Sequence, residues 1–340
     1  MPIDFKAQAE ALHEELVARR RDFHQHPELA FQEVRTAGIV AQELQALGLE
    51  VQAGVGRTGV VGVLEGAHDG PTVLVRADMD ALPIHEENQV DYTSQSAGVM
   101  HACGHDGHTT IALGVAKLLS MQREHMAGRV KFVFQPAEEI VAGARAMVED
   151  GVLQAPRPDV TLGLHLWNTL PLGVIGAADG PVMAGSSVFE IIITGRGGHA
   201  AAPHLGSDPV LSAAQIIIAL QSITSRNVDP LESAVVSVTM MQGSDADNII
   251  PERVKLSGTF RAYKREVRDL VERRLVEISA GIAAAMNCTA STTVAHGTEP
   301  VANHPDVAVR VRPRLGQIVG TQNIQTSIRT MGAEDVGLFM

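Results

Sequence analysis

The sequence has little cysteine, no block of basic residues and no long apolar run. Its two cysteines, Cys103 and Cys288, stand far apart and suggest no disulfide framework. Lysine and arginine number 27 against 39 aspartates and glutamates, a formal charge of −12. The basic residues form no cluster, so nucleic acid is not an expected partner. No apolar stretch approaches the ~20 residues that span a bilayer, so no membrane is expected either. The start, Met-Pro-Ile-Asp-Phe-Lys, lacks a charged segment followed by an apolar one, and no signal peptide is expected. There is no internal repeat and no low-complexity tract. These absences leave a cytoplasmic globular protein. At 340 residues it is long for a single core, which suggests two domains.

Against this background one segment is dense in chemistry. His101-Ala-Cys-Gly-His-Asp-Gly-His108 packs three imidazoles, a thiol and a carboxylate into eight residues. Imidazole nitrogen and thiolate sulfur are favoured ligands for zinc and similar divalent ions. Cys103 and His105 are separated only by Gly104, which permits a sharp backbone turn. The run Thr109–Leu119 that follows reads as a helix. The cluster then lies at a helix N-terminus, where the dipole is expected to favour a thiolate and lower the pKa of Cys103. A His-rich surface loop beside a buried cysteine is the bland alternative.

Three apolar runs elsewhere end in residues of the same kind. Arg129–Phe134 reads as a buried strand and leads into Gln135-Pro-Ala-Glu-Glu139. Val160–Leu164 reads as a strand and ends at His165. Pro71–Ala77 reads as a strand and ends at Asp78-Met-Asp80. In open α/β sheets the active site lies beyond the carboxyl ends of the strands. Chance explains each residue alone but not the set, and one site assembled from four loops is expected.

The wider pattern gives two regions. Up to about Gly180-Pro181, helices and strands alternate: helices over Phe5–Arg21, Thr36–Leu47, Thr109–Leu119 and Gly143–Glu149, and strands over Gly59–Leu64, Thr72–Ala77, Val130–Phe134 and Val160–Leu164. That alternation implies a layered α/β domain with a mixed sheet. Beyond it come a strand at Val188–Thr194, a helix opened by Asp208-Pro209, strands at Ala234–Gln242 and Arg253–Ala262, a charged amphipathic helix from Lys264 to about Met286, and a strand at Thr289–Ala295. The order βαββαβ is the ferredoxin-like α+β unit. The chain returns to the first domain from about Gly297. The expected division is 1–181 with 297–340 for the first domain and 182–296 for the second.

Eight segments, in order and spanning nearly the whole chain, carry a resemblance: HQHPELAFQE (24–33), RADMDALP (76–83), HACGHDGHTT (101–110), FQPAEE (134–139), LHLW (164–167), GRGGHAAAPH (195–204), NIIP (248–251) and MGAED (331–335). Together they resemble the amidohydrolase branch of the M20 metallopeptidase family, which includes hippurate hydrolases, N-acyl-amino-acid amidohydrolases and auxin-conjugate hydrolases. The resemblance implies hydrolysis of N-acyl amino acids to a carboxylic acid and an amino acid. It implies two divalent ions per subunit, with zinc, manganese, cobalt and nickel not distinguished. Such a pair generates hydroxide near neutral pH and polarises the scissile carbonyl. By the same resemblance the second domain is a lid through which a homodimer forms, and the apolar, β-branched run Val188–Thr194 is expected at a sheet edge, where it would pair with a second chain.

Residue by residue, the resemblance makes Cys103, His105, Glu139 and His165 metal ligands, with Cys103 bridging. Glu138 becomes the general base, and Asp80 orients a ligand from behind, as carboxylates do for metal-bound imidazoles. His199, after Gly197-Gly198, matches a residue that donates to the developing oxyanion of the partner's site. Asn248 and Arg261 match positions that hold the substrate's backbone and carboxylate, a task the guanidinium fork suits. An ordinary turn histidine and a strand-surface arginine are the bland readings of His199 and Arg261. Asp106 and His108 fit a supporting or capping role as well as direct contact. His24 and His26 are expected to serve the loop after the first helix rather than a metal.

One departure stands out. The resemblance calls for a last histidine ligand beyond Gly332–Asp335, yet no histidine follows His304. A truncated or frameshifted chain is therefore expected, with an uncovered sheet edge and weakened metal binding. The alternative function is an inactive, metal-poor homologue that serves as a dimeric ligand-binding scaffold. A Cys–His nucleophilic hydrolase is a weak third reading, because carboxylates surround Cys103.

Overall fold

The computed structural model describes residues 3–340. The chain forms two compact units: 1–175 with 309–325 and 335–340, and 176–308 with 326–334.

The first unit opens with α1 (Phe5–Ala11) and α2 (His13–Gln25), where a single helix was expected, and α3 (Val34–Ala46) follows. Strands β1 (Glu50–Val55), β2 (Gly59–Glu65) and β3 (His68–Asp78) come next. Then come α4 (His105–Ser120), β4 (Ala127–Gln135), α5 (Gly143–Glu149) and β5 (Val160–Gly163). The sheet runs β1-β2-β4-β3-β5, antiparallel over its first three strands and parallel from β4 through β3 to β5. It is the mixed sheet expected from the alternation.

Side-chain alternation along β4 explains the layering. Val130, Phe132 and Phe134 join a buried cluster with Phe23, Val40 and Leu44 from the helices on one face. Val133 joins a second cluster with Ala144, Met147 and Phe339 on the other. Lys131 shares that second face. It is buried, and its ammonium donates to the carbonyls of Val152, Ala155 and Pro156 at 2.5, 3.1 and 3.2 Å.

The parallel register brings the carboxyl ends of three strands to one side, with Asp78 opposite Gln135 and Arg76 opposite Gly163. The chain leaves those ends toward Asp80, Glu138-Glu139 and His165. β5 forms one edge of the sheet and β1 the other, with Leu162 and Gly163 of β5 exposed.

In the second unit, β6 (Ile175–Gly176) and β7 (Gly180–Met183) lead into β8 (Gly185–Thr194), β9 (Gly198–His199), α6 (Pro209–Ser222), β10 (Ala234–Gln242), β11 (Ile249–Ile250), β12 (Arg253–Ala262), α7 (Arg265–Ala285) and β13 (Thr289–His296). Asp208 caps α6, accepting from the N–H groups of Val210 and Leu211, a cap that contributes about 1 kcal/mol. The sheet order is β10-β12-β8-β13, antiparallel throughout, which is the ferredoxin-like arrangement. Phe189, Ile191 and Ile193 of β8 pack with Ile216 and Leu220 of α6 and Val271 and Leu275 of α7.

This order corrects one expectation. The apolar, β-branched run Val188–Thr194 was read as a sheet edge that would seek a second chain. Instead β8 is an inner strand between β12 and β13, and the edges are β10 and β13. Burial alternates along β8, with Phe189, Ile191 and Ile193 in the core and Val188 exposed, so its apolar run reflects one face packed on the helices rather than an edge. Several elements, mostly short, are not read from the sequence, the longest being β1 and α8 (Pro305–Val319). β1 is mostly exposed and lacks alternation, and α8 carries Pro313 inside it.

Candidate metal centre

Gly104 sets the geometry of the Cys–His segment. It caps α4 with φ +91°, a left-handed conformation open to glycine at little cost. α4 starts at His105, and its first turn is buried. The Nδ1–H of His105 donates to the Asp80 carbonyl at 2.9 Å, with a carboxylate oxygen of Asp80 3.3 Å away. That fixes the ring, so Nε2 faces inward. Nε2 lies 3.8 Å from Glu139 Oε1 and 3.9 Å from Glu138 Oε2. Cys103 Sγ stands 3.5 Å from His165 Nε2.

Four sets of ligand-type atoms among the described residues lie within 4.8 Å of one another, and two of them join the expected ligands: Cys103, His105 and His165, and His105, Glu138 and Glu139. His105 Nε2 and Glu139 Oε1 are both buried without a hydrogen-bond partner. Buried polar atoms are rarely left so. A thiol, two imidazoles and a carboxylate around such orphans fit a divalent cation of the zinc type.

The electrostatics agree. Burial opposes charge on His105, but its neighbours Asp78, Asp80 and Cys103 outweigh it and push its pKa up to about 12. Burial raises the Glu139 carboxyl, against the pull of His105. This pocket of carboxylates favours positive charge. Cys103 corrects the expectation of a lowered thiol. Burial pushes its pKa up, with Glu139 and Glu138 adding to the rise against the pull of His105. Among protein groups alone, burial outweighs the pull of His105, and a cation is what would favour the thiolate.

Behind these atoms stands a buried frame. Asp80 accepts the N–H groups of Glu138 and Glu139, each at 3.0 Å, so one carboxylate orients His105 and the Glu-Glu pair together. His108 uses both its nitrogens. Nδ1 donates to Asp78 at 2.6 Å, and Nε2 accepts the Leu166 N–H at 2.8 Å, beside His165. His108 thus supports the site. Asp106 does too, pairing with Arg20 at 2.7 Å and His24 at 2.8 Å. His24 reaches this segment rather than the loop after its own helix, and its other nitrogen meets Glu86 at 3.1 Å. His26 bonds the Asp22 carbonyl at 2.8 Å.

Arg76, Asp78, Gln135 and Asp335 form a further buried network. Arg76 donates to the other three, and Gln135 donates to Asp335 at 2.7 Å. Arg76 and the two histidines hold the Asp78 carboxyl well below its usual range against the effect of burial. Sequence reasoning singled out neither this network nor Glu33. All stand inside the motif segments, and their arginine-carboxylate and glutamine chemistry was the available signal.

In the second unit, His199 on β9 pairs with Ile249 on β11, and the Ala200 N–H donates to the Asn248 carbonyl at 3.0 Å. One ribbon thus carries His199 and Asn248, both exposed. His199 Nδ1 accepts from the Ala201 N–H at 3.1 Å, which puts the proton on Nε2. Arg261 is on β12, and its guanidinium donates to the Met331 carbonyl at 3.3 Å.

A sequence profile of peptidase family M20/M25/M40 matches residues 74–340. The chain belongs to this family. An N-acetylcysteine deacetylase of Bacillus subtilis is 44% identical over 275 residues, 81% of this chain and 72% of the relative. An N-acyl-L-amino acid amidohydrolase of Geobacillus stearothermophilus is 43% identical over 293 residues, 86% of this chain and 79% of the relative. The crystal structure of the YXEP protein of Bacillus subtilis, a dinuclear metal-binding peptidase from the M20 family, superposes with a TM-score of 0.85 at 36% identity. It covers 97% of this chain and 86% of that one.

The protein is accordingly an M20 hydrolase of amide bonds that uses divalent metal. The relatives matched are enzymes, which does not favour the reading of an inactive ligand-binding scaffold. No helix among the described residues is long and apolar enough to cross a membrane.

Proposed function

We propose that this M20 enzyme hydrolyses N-acyl amino acids, of the hippurate or N-acetyl type, with two divalent ions per subunit. Cys103, His105, Glu139 and His165 would hold the ions, drawn from zinc, manganese, cobalt or nickel. When bound, they supply Lewis acidity toward the scissile carbonyl and toward water. The observation that carries this reading is the pair of partnerless buried atoms, His105 Nε2 and Glu139 Oε1, 3.8 Å apart and beside Glu138.

Glu138 takes the role of general base. Its neighbour Glu139 is committed to the ligand set, and the peptide N–H of each is tied to Asp80. The Glu138 carboxylate would receive a proton from the attacking water and pass it to the leaving amine. His199 carries its proton on Nε2, which suits donation to an oxyanion. Asn248 and Arg261 would take the substrate's polar end. Both cysteines are free, which supports the reducing cytoplasm as the compartment.

The reading includes a catalytic domain over 1–181 and 297–340 and a homodimer through a lid domain over 182–296. Edge strand β10 exposes Val235, Met240 and Met241, and neighbouring α6 exposes Val210, Leu211 and Ile218, an apolar face suited to a second copy.

Replacing Glu138 with Gln tests the base. Turnover of hippurate or N-acetyl amino acids should fall ~10²–10⁴-fold while metal content stays near that of the parent. Turnover close to the parent's would remove Glu138 from the role.

A further inference from the structure

Glu33 touches none of the proposed ligands, yet the backbone that carries Glu138 converges on it. Its side chain is wholly buried. Oε1 accepts the peptide N–H of Ala137 at 2.9 Å and that of Phe31 at 3.0 Å. Oε2 accepts the Thr58 hydroxyl at 2.5 Å.

Each donor stands at or beside a residue in the left-handed region: Phe31 at φ +60°, Arg57 at +81° and Ala137 at +52°. Five non-glycine residues have positive φ among the described residues. A fourth of them, Val141 at +55°, closes the turn begun by Ala137, donating to the Glu138 carbonyl at 2.7 Å. Four of the five thus belong to one assembly. A side-chain-bearing residue persists in that conformation where its surroundings over-determine it, and such residues gather at functional sites. Asp80 holds the peptides of Glu138 and Glu139 but not that of Ala137. The Ala137 N–H belongs to Glu33, so two buried carboxylates bind three successive peptide N–H groups.

We propose that Glu33 is a positioning residue for the reaction: it holds Ala137 left-handed and so fixes the direction in which Glu138 and Glu139 leave β4. This rests on the reading of Glu138 as the base. A carboxylate suits the task, because two oxygens can take three donors and charge-assisted bonds are the stronger ones. Phe31, two residues before Glu33, and Thr58, from the turn between β1 and β2, fix the carboxylate in turn. The Arg57 guanidinium lies over the Phe31 ring, 4.2 Å from its centroid.

A mutant cycle with Ala137→Gly tests the proposal, because glycine takes positive φ without being held there. In the metal-loaded full chain, Glu33→Ala should lower kcat about 10–100-fold, the range typical for supporting partners of a metal site, with KM nearly unchanged. Glu33→Gln, which keeps an oxygen for the Ala137 N–H, should restore most of it. In the Ala137→Gly background, Glu33→Ala should cost under about threefold, a coupling between neighbours that the cycle isolates. Amide exchange over residues 136–143 should quicken in Glu33→Ala well beyond the rest of the protein. If Glu33→Ala does not fold, Thr58→Val, which removes one of the three donors, enters the same cycle.

Equal losses in both backgrounds, a loss confined to KM, or unchanged exchange in the 136–143 turn would each overturn the proposal. The failure of the base reading looks different. Glu138→Gln would retain turnover, while the exchange measurement would still judge the hold of Glu33 on the turn.

Discussion

Each side chain at the proposed centre is governed by its neighbours more than by its type. Cys103 shows this best. At a helix start among imidazoles a thiol is expected to ionise readily, yet burial and two glutamates raise its pKa. Its reactivity therefore reports the metal. After chelation, Cys103 should alkylate at neutral pH more slowly than an ordinary free thiol, and faster as pH climbs, because the thiolate is the nucleophile. With metal bound it should be protected. Cys288 is buried in the core of the second unit and should stay inert in both states. Mass-spectrometric counting of labelled cysteines reads this directly. A Cys103 labelling rate indifferent to chelator would deny it a place among the ligands.

At the scale of elements, the centre depends on how helices and strand ends are tied to one another. α2 and α4 meet through His24, which bridges Asp106 and Glu86. The bond from Asp106 raises the pKa of His24, burial opposes the rise, and Glu86 adds to it. The sign of the linkage follows. The pair's contribution to stability is full below the unfolded value of about 6.5 and is lost as pH rises through the raised folded value. Asp106 and Glu86 have lowered pKa values, so both stay ionised across that window. The gap in melting temperature between the parent and His24→Gln should be widest near about pH 6 and should narrow at alkaline pH. A gap constant across that range would mean that the imidazolium contributes nothing.

The turn after β4 belongs to this scale as well. Ala137 and Val141 each sit in a conformation that costs about 1–3 kcal/mol, and Gly143 closes the turn where a Cβ would fall 1.5 Å from the Pro136 carbonyl oxygen. Strain of this kind aims Glu138 and Glu139 and could not be read from the letters FQPAEE.

At the scale of the whole molecule, the question is assembly. The sequence offered Val188–Thr194 as the strand for a second chain to pair with, and the fold places that strand inside the sheet. The edges are β10 and β13, and β10 exposes Met240 and Met241. Light scattering at micromolar concentration should give a homodimer, and Met241→Lys should shift it toward monomer, because charge on an edge strand opposes pairing. A parent that is monomeric under those conditions would defeat the dimer. A Met241→Lys dimer as tight as the parent's would move the contact away from β10.

Sequence by itself determined the elements whose causes are local. Periodicity gave both sheets nearly strand by strand and the βαββαβ order of the second unit. The helix cap at Asp208 followed from Asp-Pro, and the ligand-type residues stood out because short-range chemistry selects them. Tertiary structure alone decided what depends on distant partners. His24 and Asp106 are 82 positions apart, and Arg76 and Asp335 are 259 apart. No spacing rule joins such pairs, because burial, not chain proximity, makes their charges seek each other. The rank of β8 within its sheet, the raised thiol of Cys103 and the convergence of Thr58 and Ala137 on Glu33 have that same origin. Each depends on which surfaces are hidden from water once the chain has closed.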